Sequence, residues 1–233
     1  MTTHRTFGRP AGLACTRRAL LTRFAGMAGG VGAGILVPSW ARAAGSGGAG
    51  LFGYTDVRRE NSSRFPKWKG ALNRTFKERE SLARPCRPGH ISGCQMHEWQ
   101  SLLDSLGQTA LPAQLDTINR EMNRRKYVLD PVNWGVKDYW ASPAQFFRKN
   151  GDCEDFSIAK YMSLRALGIP AARMRVVVLN DENLRIPHAI LAVHDGRDEL
   201  VLDNQISQVV SHRLIRHYRP IFSINEEGWW LHR

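Results

Sequence analysis

The stretch GDCEDFSIAKYMSLRALGIP, residues 151–170, decides the fold. A mostly apolar run from Phe156 to Leu167, stopped by Gly168 with Pro170 just beyond, is a helix with its termination signal. Its apolar side chains point in most directions and leave only a narrow polar strip at Ser157, Lys160 and Ser163, so the helix is expected to be central and buried. Cys153 stands at its start, where unpaired N–H groups and the helix dipole favour a thiolate. The alternative for one cysteine is an inert buried hydrophobe.

Working outward, the two sides of this helix differ in character. Upstream, Phe65 to Lys126 reads as helical in three segments, marked by Trp68, Leu72 and Phe76, by Trp99, Leu102 and Leu103, and by Leu115, Ile118 and Met122. A Pro- and Gly-rich stretch from Arg84 to Gly93 parts the first two, and an aromatic, turn-rich segment with Pro131 and Pro143 covers 127–150. Downstream come β-rich runs: Met174 to Leu179, His188 to Val193, Leu200 to Leu202, Ile221 to Ile224 and Trp229 to Leu231. Helices first and an antiparallel sheet after is the α+β pattern.

His188 opens one of those strands and Asp203 closes the next, with the turn Asp195-Gly196-Arg197-Asp198 between them. With Gly196 facing Arg197, His188 faces Gln205, and Asp203 is its diagonal neighbour on the same face. A slip of one residue would turn Asp203 to the other face. In that register Cys153 is a candidate nucleophile, His188 a candidate base and Asp203 the residue that orients the imidazole. His194 lies at the wrong end of the hairpin, and His212 and His217 fall in an Arg-rich segment that reads as surface.

Asp152, Glu154 and Asp155 crowd the cysteine with carboxylates, which oppose a thiolate. Either they form an acidic first turn that complements the helix dipole, or they hold a hard cation.

The first 43 residues carry Arg5, Arg9, Arg17, Arg18, Arg23 and Arg42, no acid, and a Gly-rich apolar run from Ala19 to Pro38. With the twin-arginine arrangement around Arg17 and Arg18 and small residues at Ala41 and Ala43, they read as an export signal cleaved after Ala43. Gly26, Gly29, Gly30, Gly32, Gly34 and Arg23 make the span too weakly apolar for stable membrane insertion. Residues 44–50 read as a flexible leader, and 51–233 as one domain with room for a core. Losing the signal removes six of the positive charges in the net +12, and the remainder stays basic. It contains no Lys/Arg block of five and no nucleic-acid motif, which argues for a solvated basic surface and against nucleic-acid binding. Cys86 and Cys94 could close a disulfide across their Pro/Gly loop, which leaves Cys153 unpaired in an exported chain.

Together these residues carry a family resemblance. Asn133-Trp134-Gly135 with Asp138-Tyr139-Trp140, the block Gly151 to Asp155 with Ala159-Lys160-Tyr161, and His188 with Leu202-Asp203-Asn204 resemble the bacterial transglutaminase-like cysteine proteinases of the LapG type. Leu51-Phe52-Gly53 and Phe65-Pro66-Lys67-Trp68 also fit. The resemblance implies a papain/transglutaminase-like fold and a calcium-dependent periplasmic endopeptidase with Cys153, His188 and Asp203 as its triad. It implies calcium held by the acids flanking the cysteine, Asp152 and Glu154, with Asp155 in the same cluster. Its implied substrate is a large surface adhesin cut near the N-terminus at paired alanines, which releases cells from a biofilm. Its implied partner is an inner-membrane receptor of the LapD type that senses cyclic di-GMP. The Cys86/Cys94 insert and the twin-arginine-like leader stand outside the family motif. A transglutaminase or amidase using the same triad, and a non-catalytic receptor-docking module, are the rival readings.

Overall fold

The computed structural model describes residues 50–81 and 91–233, with side chains left undescribed at 79–81 and 91–95. The export signal, nearly all of the leader and the Cys86/Cys94 pair therefore lie outside what is described here.

Six helices are described: α1 (Pro66–Ser81), α2 (Ile91–Leu106), α3 (Leu111–Asn123), α4 (Asp130–Asn133), α5 (Pro143–Lys149) and α6 (Cys153–Ala166). Seven strands follow or flank them: β1 (Asp56–Arg59), β2 (Met174–Asp181), β3 (Ile186–His194), β4 (Glu199–Leu202), β5 (Val210–Ser211), β6 (Tyr218–Ile224) and β7 (Trp229–His232). They form one sheet in the order β1-β7-β6-β2-β3-β4-β5, with every neighbouring pair antiparallel. This is the α+β arrangement expected from the sequence, with α6 at its centre: it packs on β3 and β2 on one side and on α3 and α5 on the other.

Burial follows from that position. Phe156, Ile158, Ala159, Tyr161 and Leu164 all enter the main core with Trp68, Trp99, Leu115, Ile118, Phe146 and the helix-facing residues Val176, Leu191 and Val193 of the sheet. The polar strip of α6 is buried too, because partners are supplied: Ser163 Oγ accepts from Trp99 Nε1 at 2.8 Å, and Ser157 Oγ donates to the Cys153 carbonyl at 2.8 Å. A smaller cluster on the opposite sheet face joins Val177, Leu179, Ile190, Ala192 and Val201 to Leu51 and Tyr218, with Phe52 packed against it.

Three local expectations change. Phe76, which the fourfold spacing assigns to the buried face of α1, is 57% exposed. Residues 143–149, expected as turn, form α5, because Ser142 and Gln145 make a reciprocal capping box and Pro143 takes the first helical turn, where its missing N–H costs nothing. β1 and β5 carry too few apolar residues to announce themselves as strands and exist through their pairing with β7 and β4.

Candidate active site

The turn before Cys153 is built for close approach. Asn150 ends α5 at φ 64°, in the left-handed region, and a Cβ on Gly151 would lie 2.2 Å from Asp155 Oδ2, so only glycine fits. Gly151 also bridges Tyr127, and its carbonyl accepts from Val128 N–H at 2.8 Å, which ties the chain after α3 to the start of α6.

Cys153 is thus presented partly exposed at the first position of α6, facing β3. The Ala189 backbone N–H favours the thiolate, which places the thiol near the residue that follows His188. The thiol itself donates to Glu154 Oε2 at 3.2 Å, and the Tyr127 phenol also reaches it. Burial first, then the charges of Glu154 and Asp152, pushes the thiol well above its ordinary pKa; the Ala189 N–H opposes this in part.

The hairpin has the register its turn predicts. Leu191 pairs with Leu202, Ala192 with Val201, Val193 with Leu200 and His194 with Glu199, across a turn in which Asp195 Oδ1 accepts from Arg197 and Asp198 N–H and Gly196 sits at φ +106°. His188 and Asp203 consequently share a face: Nε2 lies 2.9 Å from Asp203 Oδ1, and both residues are buried. Gln205, the expected partner opposite His188, brings Nε2 to 3.4 Å from its Nδ1. Burial would raise the Asp203 carboxyl, but His188, the Gln205 N–H and the Tyr218 hydroxyl hold it below the ordinary value. His194 stays at the turn end beside Glu199, and His217 lies near Asp181. His212, expected at the surface, is buried instead, accepting from the Phe52 N–H at 2.8 Å.

The three carboxylates around Cys153 fall into two groups, each with acids from upstream. Asp152 and Asp155 come together with Asp130, one oxygen of each lying within 4.8 Å of the others, while Glu154 forms a second such group with Asp130 and Asp138. Asp130 belongs to both groups and was missed, as was Asp138; both stand well upstream, and only the family-like Asp138-Tyr139-Trp140 run hinted at either. Asp130 Oδ2 accepts from Tyr139 N–H and Asp155 Oδ1 from Ala141 N–H at 2.6 Å. The other oxygens, Asp130 Oδ1 and Asp155 Oδ2, together with Asp152 Oδ1, are buried with no hydrogen-bond donor. Burial and mutual repulsion push the carboxyls of Asp152 and Asp155 up to about 8 and raise Asp130. Glu154 is raised as well, chiefly by burial. Buried acceptor-only oxygens that face one another without donors fit a hard divalent cation of the calcium class.

Comparisons with known proteins give the family and the fold. Residues 85–230 match the family described as bacterial transglutaminase-like cysteine proteinase. Among solved structures, the chain is similar to Legionella pneumophila LapG in its calcium-bound form, with TM-score 0.57 and 29% identity over 69% of this chain and 87% of that one. The EGTA-treated form of the same protein matches with TM-score 0.57 and 28% identity, over 70% and 86% of the two chains. No curated protein matches the sequence. With more than half its length matched by that family and with the fold to go with it, the chain belongs to the bacterial transglutaminase-like cysteine proteinases.

Proposed function

We propose that the chain is a calcium-dependent periplasmic endopeptidase in which Cys153 is the nucleophile, His188 the base and Asp203 its orienting acid. The observation that carries this reading is the buried 2.9 Å contact between His188 and Asp203, one residue along β3 from the Ala189 N–H that favours the Cys153 thiolate. Asp203 engages Nε2, which leaves Nδ1 to take the thiol proton. The sulfur attacks the scissile carbonyl, and N–H groups at the start of α6, including that of Cys153, are positioned to receive the oxyanion. His188 then returns the proton to the leaving amine, and a water, deprotonated by the same imidazole, releases the acyl group.

Asp130, Asp152, Asp155 and Glu154 are the residues to hold the cation, with Asp138 beside them. A bound cation would neutralise the carboxylates that raise the thiol pKa. Glu154, engaged in ligation, would then compete less for the thiol proton, which would pass to His188.

The substrate proposed is a large surface adhesin cut near its N-terminus at paired alanines, with biofilm release as the consequence and a LapD-type cyclic di-GMP receptor as the regulating partner. Support for this comes from family membership and the likeness to LapG. No described helix is long and apolar enough to cross a membrane. The test is cleavage of a peptide containing paired alanines, with a labelled amine present to separate hydrolysis from transamidation. Hydrolysis that stops in chelator and in Cys153→Ala is expected. Amine incorporation in place of hydrolysis would favour a transglutaminase, and an inert protein would favour a docking module.

A further inference from the structure

Asp203 makes more contacts than holding one imidazole requires. Its Oδ1 accepts from His188 Nε2 at 2.9 Å and from Gln205 N–H at 2.8 Å, and its Oδ2 accepts from the Tyr218 hydroxyl at 2.6 Å. Asp203 lies one residue beyond the last described pair of the β3/β4 ladder, so strand pairing does not set its side-chain torsion. A short bond to the second oxygen does set it. Tyr218, the first residue of β6, is 1% exposed, and its ring meets the His188 ring edge-on at 5.8 Å. Behind it, Phe52 packs edge-on at the same centroid distance of 5.8 Å, and the small core on that sheet face holds it in place. One phenol therefore touches both members of the Asp–His pair and is itself fixed from behind.

We propose that Tyr218 is a positioning residue of the protease, its hydroxyl pinning Asp203 Oδ2 so that Oδ1 stays on His188 Nε2. The inference rests on the reading of Cys153, His188 and Asp203 as the catalytic set. The groups facing Asp203 are His188 from β3, Tyr218 from β6, the Gln205 N–H and, from α6, the buried ammonium of Lys160. Tyr218 is itself flanked by Asp181 and by the His217 ring at 4.6 Å. Asp203 has to be ionised to steady the imidazolium, and burial pushes it toward protonation. Without the Tyr218 hydroxyl it protonates at higher pH, so the acidic limb of kcat/KM moves upward, by about one pH unit for a hydrogen bond to a charged group.

The experiment follows cleavage of an Ala-Ala peptide by the full chain in calcium, as a function of pH, for wild type, Tyr218→Phe, Asp203→Asn and the double variant. Tyr218→Phe is expected to lower kcat about tenfold with KM unchanged, to move the acidic limb upward, and to have no further effect on the residual activity of Asp203→Asn. 3-Fluorotyrosine placed at 218 keeps the shape with a stronger donor, and is expected to move the limb downward. An acidic limb unmoved in both 218 variants, or a Tyr218→Phe loss undiminished in the Asp203→Asn background, overturns the proposal. Full activity in Asp203→Asn overturns the catalytic reading beneath it, whereas a crippled Asp203→Asn beside a wild-type Tyr218→Phe overturns the positioning role alone.

Discussion

Two Asp–His pairs lie toward opposite edges of the same sheet, and they are surrounded in opposite ways. On the β1/β7 side, His232 Nδ1 contacts Asp56 Oδ1 at 2.8 Å, its Nε2 contacts Ser223 Oγ at 3.1 Å, and Arg175 donates to Asp56 Oδ2 at 2.6 Å. Ser, His and Asp are in line there, yet Ser223 is completely buried and beyond the reach of any substrate. Burial would raise the Asp56 carboxyl, but His232 and Arg175 outweigh it and hold the group below its ordinary value. On the β3/β4 side, His188 and Asp203 accompany a thiol that is partly exposed and a carboxylate group in which Lys67 pairs with Asp138, while buried oxygens of Asp130, Asp152 and Asp155 have no hydrogen-bond donor. The difference separates a structural pair from a candidate catalytic one better than the resemblance between them joins them. A self-sufficient cluster is charge-balanced within the chain; the other is left unbalanced where an outside cation would complete it.

The largest expected effect that sharpens this contrast is on activity. Cys153→Ala should lower peptide cleavage by at least about a thousandfold, with thermal unfolding within a few degrees of wild type, whereas Ser223→Ala should leave cleavage unchanged. Ser223→Ala activity as low as that of Cys153→Ala would break the distinction.

Next is the cation. Asp130→Asn should weaken calcium binding by at least about tenfold in a calorimetric titration, while Asp56→Asn leaves it unaltered. Equal affinities in the two variants would mean that the carboxylate group around Asp130 is not a cation site.

Gly151→Ala is expected to do both kinds of damage. Its Cβ meets Asp155 Oδ2 at 2.2 Å, Cβ at 2.5 Å and Cγ at 2.7 Å, so Asp155 has to move. The overpacking costs about 1–3 kcal/mol of stability, read as a lower denaturation midpoint, and the moved carboxylate costs calcium affinity.

The smallest effect belongs to the paired side. Asp56→Asn should lose about 2 kcal/mol of unfolding free energy at neutral pH. The Asp56 pKa is depressed below 3.8 in the folded protein, so its contribution is complete above that value and fades as pH falls through the folded pKa. Wild type and Asp56→Asn should therefore converge in stability in strong acid, and a gap that persists there would assign the loss to packing.

What the sequence disclosed and what it hid divide along the range of the interactions. The helix from Cys153, its stop at Gly168 and the β3/β4 register were legible because each depends on residues near in sequence: a terminal glycine, an Asp-Gly turn, an alternation of faces. The capping box that makes α5 was equally local and was passed over because Pro131 and Pro143 read as breakers, whereas Pro143 opens the helix. Asp130 and Tyr218 could not be found that way. They reach the site from α4 and β6, 23 positions before Cys153 and 15 after Asp203 respectively, through tertiary packing that no periodicity encodes. His212 reads as surface from its arginine neighbours, and only the return of Phe52 across the sheet buries it.

The central claim is that the acidic group around Asp130 controls Cys153 through a cation, and the direct measurement is labelling of Cys153 by iodoacetamide, followed on the peptide that contains it by mass spectrometry. Labelling in calcium should be fast, and should slow sharply in EGTA, in Asp130→Asn and in His188→Ala. Labelling at one rate in all four conditions would contradict the claim.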